Sequence, residues 1–226
     1  MKITIHQPNY LPYLGFFDKM RQADIFVIYD DAQFNKDDFQ HRNKIRIFHG
    51  WKWLTVPVEK KLIPINEIKI RNEQINKGLT WSDAQFKEIR DSYLDTPNYE
   101  RYENKLEEIY MKRYDKLIDL NLEIIYFLMD AFNIKTKLVF SSELGFTSRS
   151  TQRLVEIVES LGGDTYLSGT SGMNYLDVSL FHDKNIKLEF QYFKYPVYKQ
   201  NYEGFIPNMS SIDILFNTGE FPKNQE

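Results

Sequence analysis

The fold turns on one stretch: Lys2-Ile3-Thr4-Ile5-His6, then Gln7-Pro8-Asn9-Tyr10-Leu11-Pro12-Tyr13-Leu14-Gly15, then Phe16-Phe17-Asp18-Lys19-Met20-Arg21, and finally Ile25-Phe26-Val27-Ile28-Tyr29. β-Branched residues crowd ahead of Pro8 and again ahead of Asp30-Asp31, which predicts two short buried strands, Lys2 to His6 and Ile25 to Tyr29. Pro8, Pro12 and Gly15 punctuate the loop between them, and the apolar positions after Gly15 suit a short helix. Strand, loop, helix, strand is the repeating unit of a parallel α/β sheet, where ligands gather beyond the carboxyl ends of the strands. Here that edge carries His6 through Tyr10 together with Asp30, Asp31 and Gln33.

Outward from this unit, Arg42 to Phe48 and Trp51 to Val58 flank His49-Gly50 and predict a β-hairpin, with a third strand expected at Glu67 to Ile70. Helix formers dominate from Trp81 to Phe132, interrupted by Thr96-Pro97-Asn98, and predict two or three helices. Strands are expected at Lys137 to Phe140, Thr165 to Leu167 and Lys187 to Phe193. A helix is expected at Thr151 to Leu161, ended by Gly162-Gly163, and a last one at Ser210 to Phe216, with Ser210 or Ser211 as its cap. The expected fold is a mostly parallel α/β sheet with a hairpin and a helical insertion at about 79–133. The two apolar faces of that insertion need outside partners, and it is expected to close over the pocket.

The 226 residues carry 29 basic and 32 acidic side chains, a formal charge of −3, and 42% are apolar. That is enough for one sizeable core, and no composition shift marks a boundary, so a single α/β domain over 1–226 is expected. Interleaved charges argue against nucleic acid, whose phosphates require clustered Lys and Arg. The apolar runs fall well short of the roughly 18 residues that span a bilayer, so no membrane span is expected. The start lacks the apolar segment of a signal peptide and the chain has no cysteine, which makes the expected location cytoplasmic and removes any thiol nucleophile. The 17 Phe, 15 Tyr and 3 Trp suit either core packing or a pocket that stacks rings.

No GxGxxG, Walker, HExxH, GxSxG or EF-hand pattern occurs, so no common motif names a cofactor. His41 and His49 lie near Asp37 and Asp38 without a standard ligand spacing, and no metal is expected. Three constellations remain. In the first, His6 is placed to act as a general base near neutral pH, with Gln7, Asn9 and Tyr10 offering polar contacts to a ligand; the alternative is a packing histidine bonded to a carbonyl. In the second, Asp31 and Gln33 share a direction if the chain stays extended, and Gln40, Arg42 and Asn43 supply a cation and amides for a carboxylate or phosphate. The third is Tyr166-Leu167-Ser168-Gly169-Thr170-Ser171-Gly172-Met173-Asn174-Tyr175, where small residues after a strand expose backbone amides and Ser168, Thr170 and Ser171 bring hydroxyls to an anion nest; plain turn chemistry is the alternative.

Gln7-Pro8 with Pro12 and Gly15, then Tyr29-Asp30-Asp31-Ala32-Gln33-Phe34, then Arg42-Asn43, together resemble the opening of the WbqC-like family. Ala32 stands where Val is usual in that family, and Asn9-Tyr10-Leu11 replaces an aromatic-rich tripeptide. Phe205-Ile206-Pro207, Met209-Ser210, Ile212-Asp213 and Asn217 resemble the family's C-terminal end, so the resemblance covers essentially the whole chain. It implies a role in surface-polysaccharide (O-antigen, lipopolysaccharide) biosynthesis, as a transferase placing an acyl or aminoacyl group on an amino sugar linked to a nucleotide or lipid carrier. It carries Gln7, Asp31, Gln33, Arg42 and Asn43 as site residues without assigned roles. A looser likeness is to the Rossmann-like nucleotidylyltransferase and adenylating-ligase group. The His-x-Gly-His of that group is replaced here by Tyr10-Leu11-Pro12-Tyr13, which weighs against ATP activation.

The expected mechanism has a sugar amine or hydroxyl attack the donor while His6 or Asp31 accepts the proton. Arg42 and the Ser168 to Ser171 loop hold an anionic group. The expected partner is a small-molecule substrate, a nucleotide-linked or lipid-linked sugar. The competing expectation is a non-catalytic protein that binds a glycan or a pathway partner through Tyr10, Tyr13, Tyr195, Tyr198 and Tyr202.

Overall fold

The computed structural model describes residues 1–74 and 78–222. Among these are seven strands and seven α-helices: β1 (Lys2–His6), α1 (Leu14–Arg21), β2 (Ile25–Ile28), β3 (Arg42–Ile47), β4 (Gly50–Thr55), α2 (Trp81–Tyr93), α3 (Tyr99–Met111), α4 (Leu117–Ala131), β5 (Lys137–Phe140), α5 (Ser150–Ser160), β6 (Thr165–Ser168), α6 (Val178–His182), β7 (Lys187–Phe190) and α7 (Ser211–Thr218). The chain is built as two compact units. One comprises Met1–Pro8, Gly15–Ala32 and Ile134–Lys194; the other comprises Asn9–Leu14, Gln33–Asn133 and Tyr195–Glu226.

The first unit holds a five-stranded sheet in the order β5-β2-β1-β6-β7, every neighbouring pair parallel. β1 sits at the centre because Ile3, Thr4 and Ile5 are all buried, as a strand covered on both faces requires. The chain leaves β1 toward β2 and β5, then returns to the other side of β1 with β6 and β7, so the strand order reverses beside β1. Reversal of this kind opens a crevice at the carboxyl ends. Side chains alternate across the sheet. Ile3, Ile5, Ile25 and Val27 form one face and pack with Leu154, Val155, Ile157 and Val158 of α5 and Phe181 of α6. His6 and Phe26 lie on the other face, where both rings meet Phe16 of α1 at 5.0 Å.

The second unit contains the hairpin β3-β4, the helices α2 to α4 and the C-terminal helix α7. The hairpin turns through Phe48-His49, one residue earlier than the sequence pattern suggested, because Gly50 takes the φ of 129° that closes it. The expected strand at Glu67 to Ile70 is a 3-10 turn at Ile65–Glu67 followed by isolated bridges at Lys69 and Ile70. Pro64, with φ −54°, presets that turn. Three helices fill Trp81 to Phe132, and α2 is opened by a reciprocal cap between Thr80 and Asp83. They pack on one another, on β3 and on α7, so the helical stretch shares its unit with the hairpin and the C-terminal segment. The anchor of that segment is Asp213, fully buried, which accepts hydrogen bonds from Tyr93 at 2.8 Å, Gln200 at 2.9 Å and Tyr198.

Candidate functional site

Within the first unit the polar side chains cluster where the strands end. Asp30 and Asp31 follow β2, and Ser141 and Ser142 follow the neighbouring β5. Asp30 accepts from the Ser142 amide at 3.1 Å and the Ser142 hydroxyl at 2.6 Å, which fixes the turn after β5. The Ser141 hydroxyl lies between the two carboxylates, 2.5 Å from Asp31 and 3.1 Å from Asp30. Asp31 also receives the guanidinium of Arg153, which projects from the first turn of α5. That guanidinium lies over the ring of Tyr29 at 5.2 Å, and its Nε is buried without a protein acceptor among the described residues.

Phenols lie near the Asp31–Arg153 pair. Burial pushes the Tyr29 hydroxyl above its ordinary range, opposed by the Arg153 charge and reinforced by Asp31 and Tyr175. Burial also raises Tyr166, with Tyr175 and Tyr29 adding to the effect and a hydrogen bond with Ser168 opposing it. Tyr29 and Tyr175 are near enough to influence each other and reach solvent, whereas Tyr166 is buried in the core and stacked on Phe181. Gly172 closes the loop under them. A Cβ there would stand 2.1 Å from the Ser168 hydroxyl, so only glycine fits.

His6 lies on the opposite face of the sheet from Arg153 and does not join this cluster. Its ring packs against Phe16 and Phe26, and Nδ1 sits 2.8 Å from the Gln7 carbonyl oxygen, to which it must donate. Burial and the nearby Lys19 charge lower its pKa to about 3, against the opposing pull of that carbonyl. Of the two readings of His6, general base or packing histidine bonded to a carbonyl, the geometry is that of the second, a neutral ring that accepts a proton poorly. Lys19 itself is buried, donates to the Ile5 carbonyl oxygen at 3.1 Å, and is depressed by burial to about 7.

The remaining expected residues fall in different places. Gln7 is part-buried beside His6 in the first unit. Ser168 is buried and turned onto the Gly169 carbonyl at 3.0 Å, whereas Thr170 and Ser171 are exposed on a 3-10 turn. The amide of Gly172 bonds to the Gly169 carbonyl, and those of Tyr175 and Leu176 to the Gly172 carbonyl, which closes the end of that turn. In the second unit, Asn43 donates to the Leu11 carbonyl at 2.6 Å and Tyr10 donates to Gln85 at 2.6 Å and meets Tyr110; both are interior bonds, not contacts offered to a ligand. Asn9 is buried, and Gln33 is exposed and bridged to Pro64. Arg42 lies over Trp53 at 4.8 Å and donates to the Asp37 carbonyl at 2.7 Å. His41 is enclosed against Phe34, and burial with the neighbouring Arg42 charge lowers it to about 4.

Arg153, Ser141 and Ser142 are not singled out by the sequence, whereas Tyr175 falls within the third constellation. Arg153 carried one usable signal: in a doubly wound unit, the first turn of the helix that follows a strand faces the carboxyl edge.

The first unit is thus that of a doubly wound α/β protein with a polar, phenol-lined edge beside its topological switch. The chain belongs to the WbqC-like protein family, whose model matches residues 7–224. It is 32% identical over 220 residues to an uncharacterized protein, Rv1507c, of Mycobacterium tuberculosis, covering 96% of this chain and 94% of that one. No solved structure matches it. Among the described residues no helix is long and apolar enough to cross a membrane.

Proposed function

We propose that this WbqC-like protein is a transferase of surface-polysaccharide biosynthesis that places an acyl or aminoacyl group on an amino sugar carried by a nucleotide or lipid phosphate. The observation that supports this reading is the Asp31–Arg153 pair at the carboxyl edge, with Tyr29 against the guanidinium and Tyr175 close by. Arg153 has a donor left over, Nε, and a planar fork that suits a carrier phosphate. Asp31 holds that fork in place and is the carboxylate within reach of a sugar amine; the phenols suit sugar hydroxyls. A cytoplasmic location would fit the nucleotide-linked form of the substrate.

The test is a thermal-shift screen of the full chain against nucleotide-linked amino sugars, acyl-CoAs and ATP, followed by turnover of whatever binds. A ligand at 100 times its Kd adds about 2.7 kcal/mol of stability. Sugar-carrier binding should be lost in Arg153→Met while the folded spectrum persists. Asp31→Asn should lower turnover by 10² or more if Asp31 takes the proton, since general-base catalysis contributes about 10²–10⁴. Binding unaffected by Arg153→Met, or turnover within about threefold in Asp31→Asn, would remove those roles. A second reading, a non-catalytic glycan-binding protein, is favoured by the engagement of both carboxylates in protein bonds. It requires sugar binding without any turnover.

A further inference from the structure

Residues 42–56, the hairpin and its flanks, contain Arg42, Lys44, Arg46 and Lys52 and no acidic residue, in a chain whose formal charge is −3. The antiparallel register sets Arg42 opposite Thr55, Lys44 opposite Trp53 and Arg46 opposite Trp51, so these side chains share one face. The other face carries Ile45 and Leu54 into the core. Arg46 is buried and spends its guanidinium on the carbonyls of Ile47, Gly50 and Glu203. Arg42 and Lys44 are half-buried, the first 4.8 Å above the Trp53 ring and bonded to the Asp37 carbonyl, the second 5.0 Å from the Trp51 ring.

Large apolar groups stand beside these cations. Phe48, at the turn, is 69% exposed, Trp51 is 45% exposed and Phe39 is 40% exposed, with the Phe39 ring 5.9 Å from Trp53. Water is a poor solvent for such a group of rings, and a turn tipped with phenylalanine is costly to leave bare. The chemistry that suits aromatic rings flanked by Lys and Arg is the boundary between lipid headgroups and acyl chains, with rings at the boundary and cations on the phosphates.

Magnitudes decide between occupants. Two half-buried cations neutralise few phosphates, and nucleic-acid affinity grows with the number neutralised. A stacked sugar needs an open ring face, and Arg42 and Lys44 each take one face of an indole. Near an anionic leaflet, however, each cation contributes about 1 kcal/mol, to which ring insertion adds.

We propose that the β3-β4 hairpin seats the protein peripherally on an anionic lipid surface, with Phe48 and Trp51 entering the headgroup boundary and Arg42 and Lys44 meeting lipid phosphates. This does not depend on the reaction assigned to the sheet edge. The full chain would be sedimented with vesicles of phosphatidylcholine alone or with about one-third phosphatidylglycerol, while tryptophan emission is followed. Binding to the anionic vesicles, weakened by salt and accompanied by a blue shift, is expected. Arg42→Ser/Lys44→Ser should weaken it by about tenfold or more, and Phe48→Ser should weaken it with the salt dependence retained. Lys52→Ser, at a lysine paired with Glu88 at 2.6 Å, should leave it unchanged. No binding, equal binding to both vesicles, or binding only to a single-stranded oligonucleotide would overturn the proposal. So would vesicle binding that survives both surface variants in their folded form.

Discussion

The guanidinium of Arg153 on α5 is paired with the carboxylate of Asp31, just beyond β2, and its flat face rests on Tyr29 from the same strand end. The two side chains are 12% and 21% exposed, between the regimes in which ion pairs contribute almost nothing and those in which breaking one is severe. Arg153→Met should therefore destabilise the protein by about 1–3 kcal/mol, because among the described residues Asp31 then keeps only the Ser141 hydroxyl. In urea titrations the double variant with Asp31→Asn should recover part of that loss, giving a coupling of about 1 kcal/mol. A loss below about 0.5 kcal/mol in Arg153→Met would mean that the pair does not order this edge.

Much of the first unit was legible because its signals are local. β-Branched residues ahead of Pro8 and Asp30 place β1 and β2; β5 and β6 fall within a residue of their expected ends, while β7 stops at Phe190, three residues short of Phe193. The sequence leaves His6 open between base and packing residue for a physical reason. Whether an imidazole at a strand end meets solvent depends on which face it takes, and the partner on that face, Phe16, is set by how α1 folds back. Tyr10 and Asn43 misled: amide and phenol look like ligand contacts until Gln85, Tyr110 and the Leu11 carbonyl take them up. Arg153 escaped notice because its partner lies 122 residues away. Helix α6, of five residues, is too short for its periodicity to register.

The loop after β6 makes a sharper demand. A methyl group at Gly172 would sit 2.1 Å from the Ser168 hydroxyl and 2.9 Å from Leu176 Cδ1. Overpacking of this degree costs about 1–3 kcal/mol. Gly172→Ala should lower the denaturation midpoint accordingly, and adding Ser168→Ala, which removes the clashing oxygen, should restore part of it. Strictly additive losses in the double variant would show that the clash is relieved elsewhere in the loop.

Lys19 makes stability depend on pH with a definite sign. Burial lowers its pKa from 10.5 to about 7 in the folded protein, so between these values the unfolded chain holds more protons at this site than the native one. Its contribution to stability therefore rises with pH across that window and is least favourable below about 7, where the native state must carry a buried ammonium beside the Ile5 carbonyl. The neighbouring His6, depressed to about 3, stays neutral throughout and does not distort the comparison. Lys19→Met should be more stable than the parent at pH 6, with the difference shrinking steadily toward pH 9. Unfolding free energies of the two proteins at matched ionic strength check this, and a pH-independent difference would mean that the lysine does not titrate there.

The helices α2 to α4 should not stand alone. Leu106 and Ile109 of α3 and Leu117, Leu120 and Ile124 of α4 are buried, and the contacts that cover these helices include α7 for both α3 and α4, and β3 for α2. Cut out as residues 79–133, the segment keeps its capping box at Thr80 and Asp83 but loses the partners that shield its apolar faces. Isolated helices of 13 to 15 residues are marginal in water, and a unit this small buries too little surface to offset its chain entropy. The fragment should be weakly helical by circular dichroism and lose its signal gradually on heating. Addition of a second chain carrying 195–222, which includes α7, should raise its helicity if that helix is the missing cover. A sharp cooperative melt of the fragment alone would instead identify a self-sufficient helical subdomain, with Thr96-Pro97-Asn98 a simple turn between two of its helices.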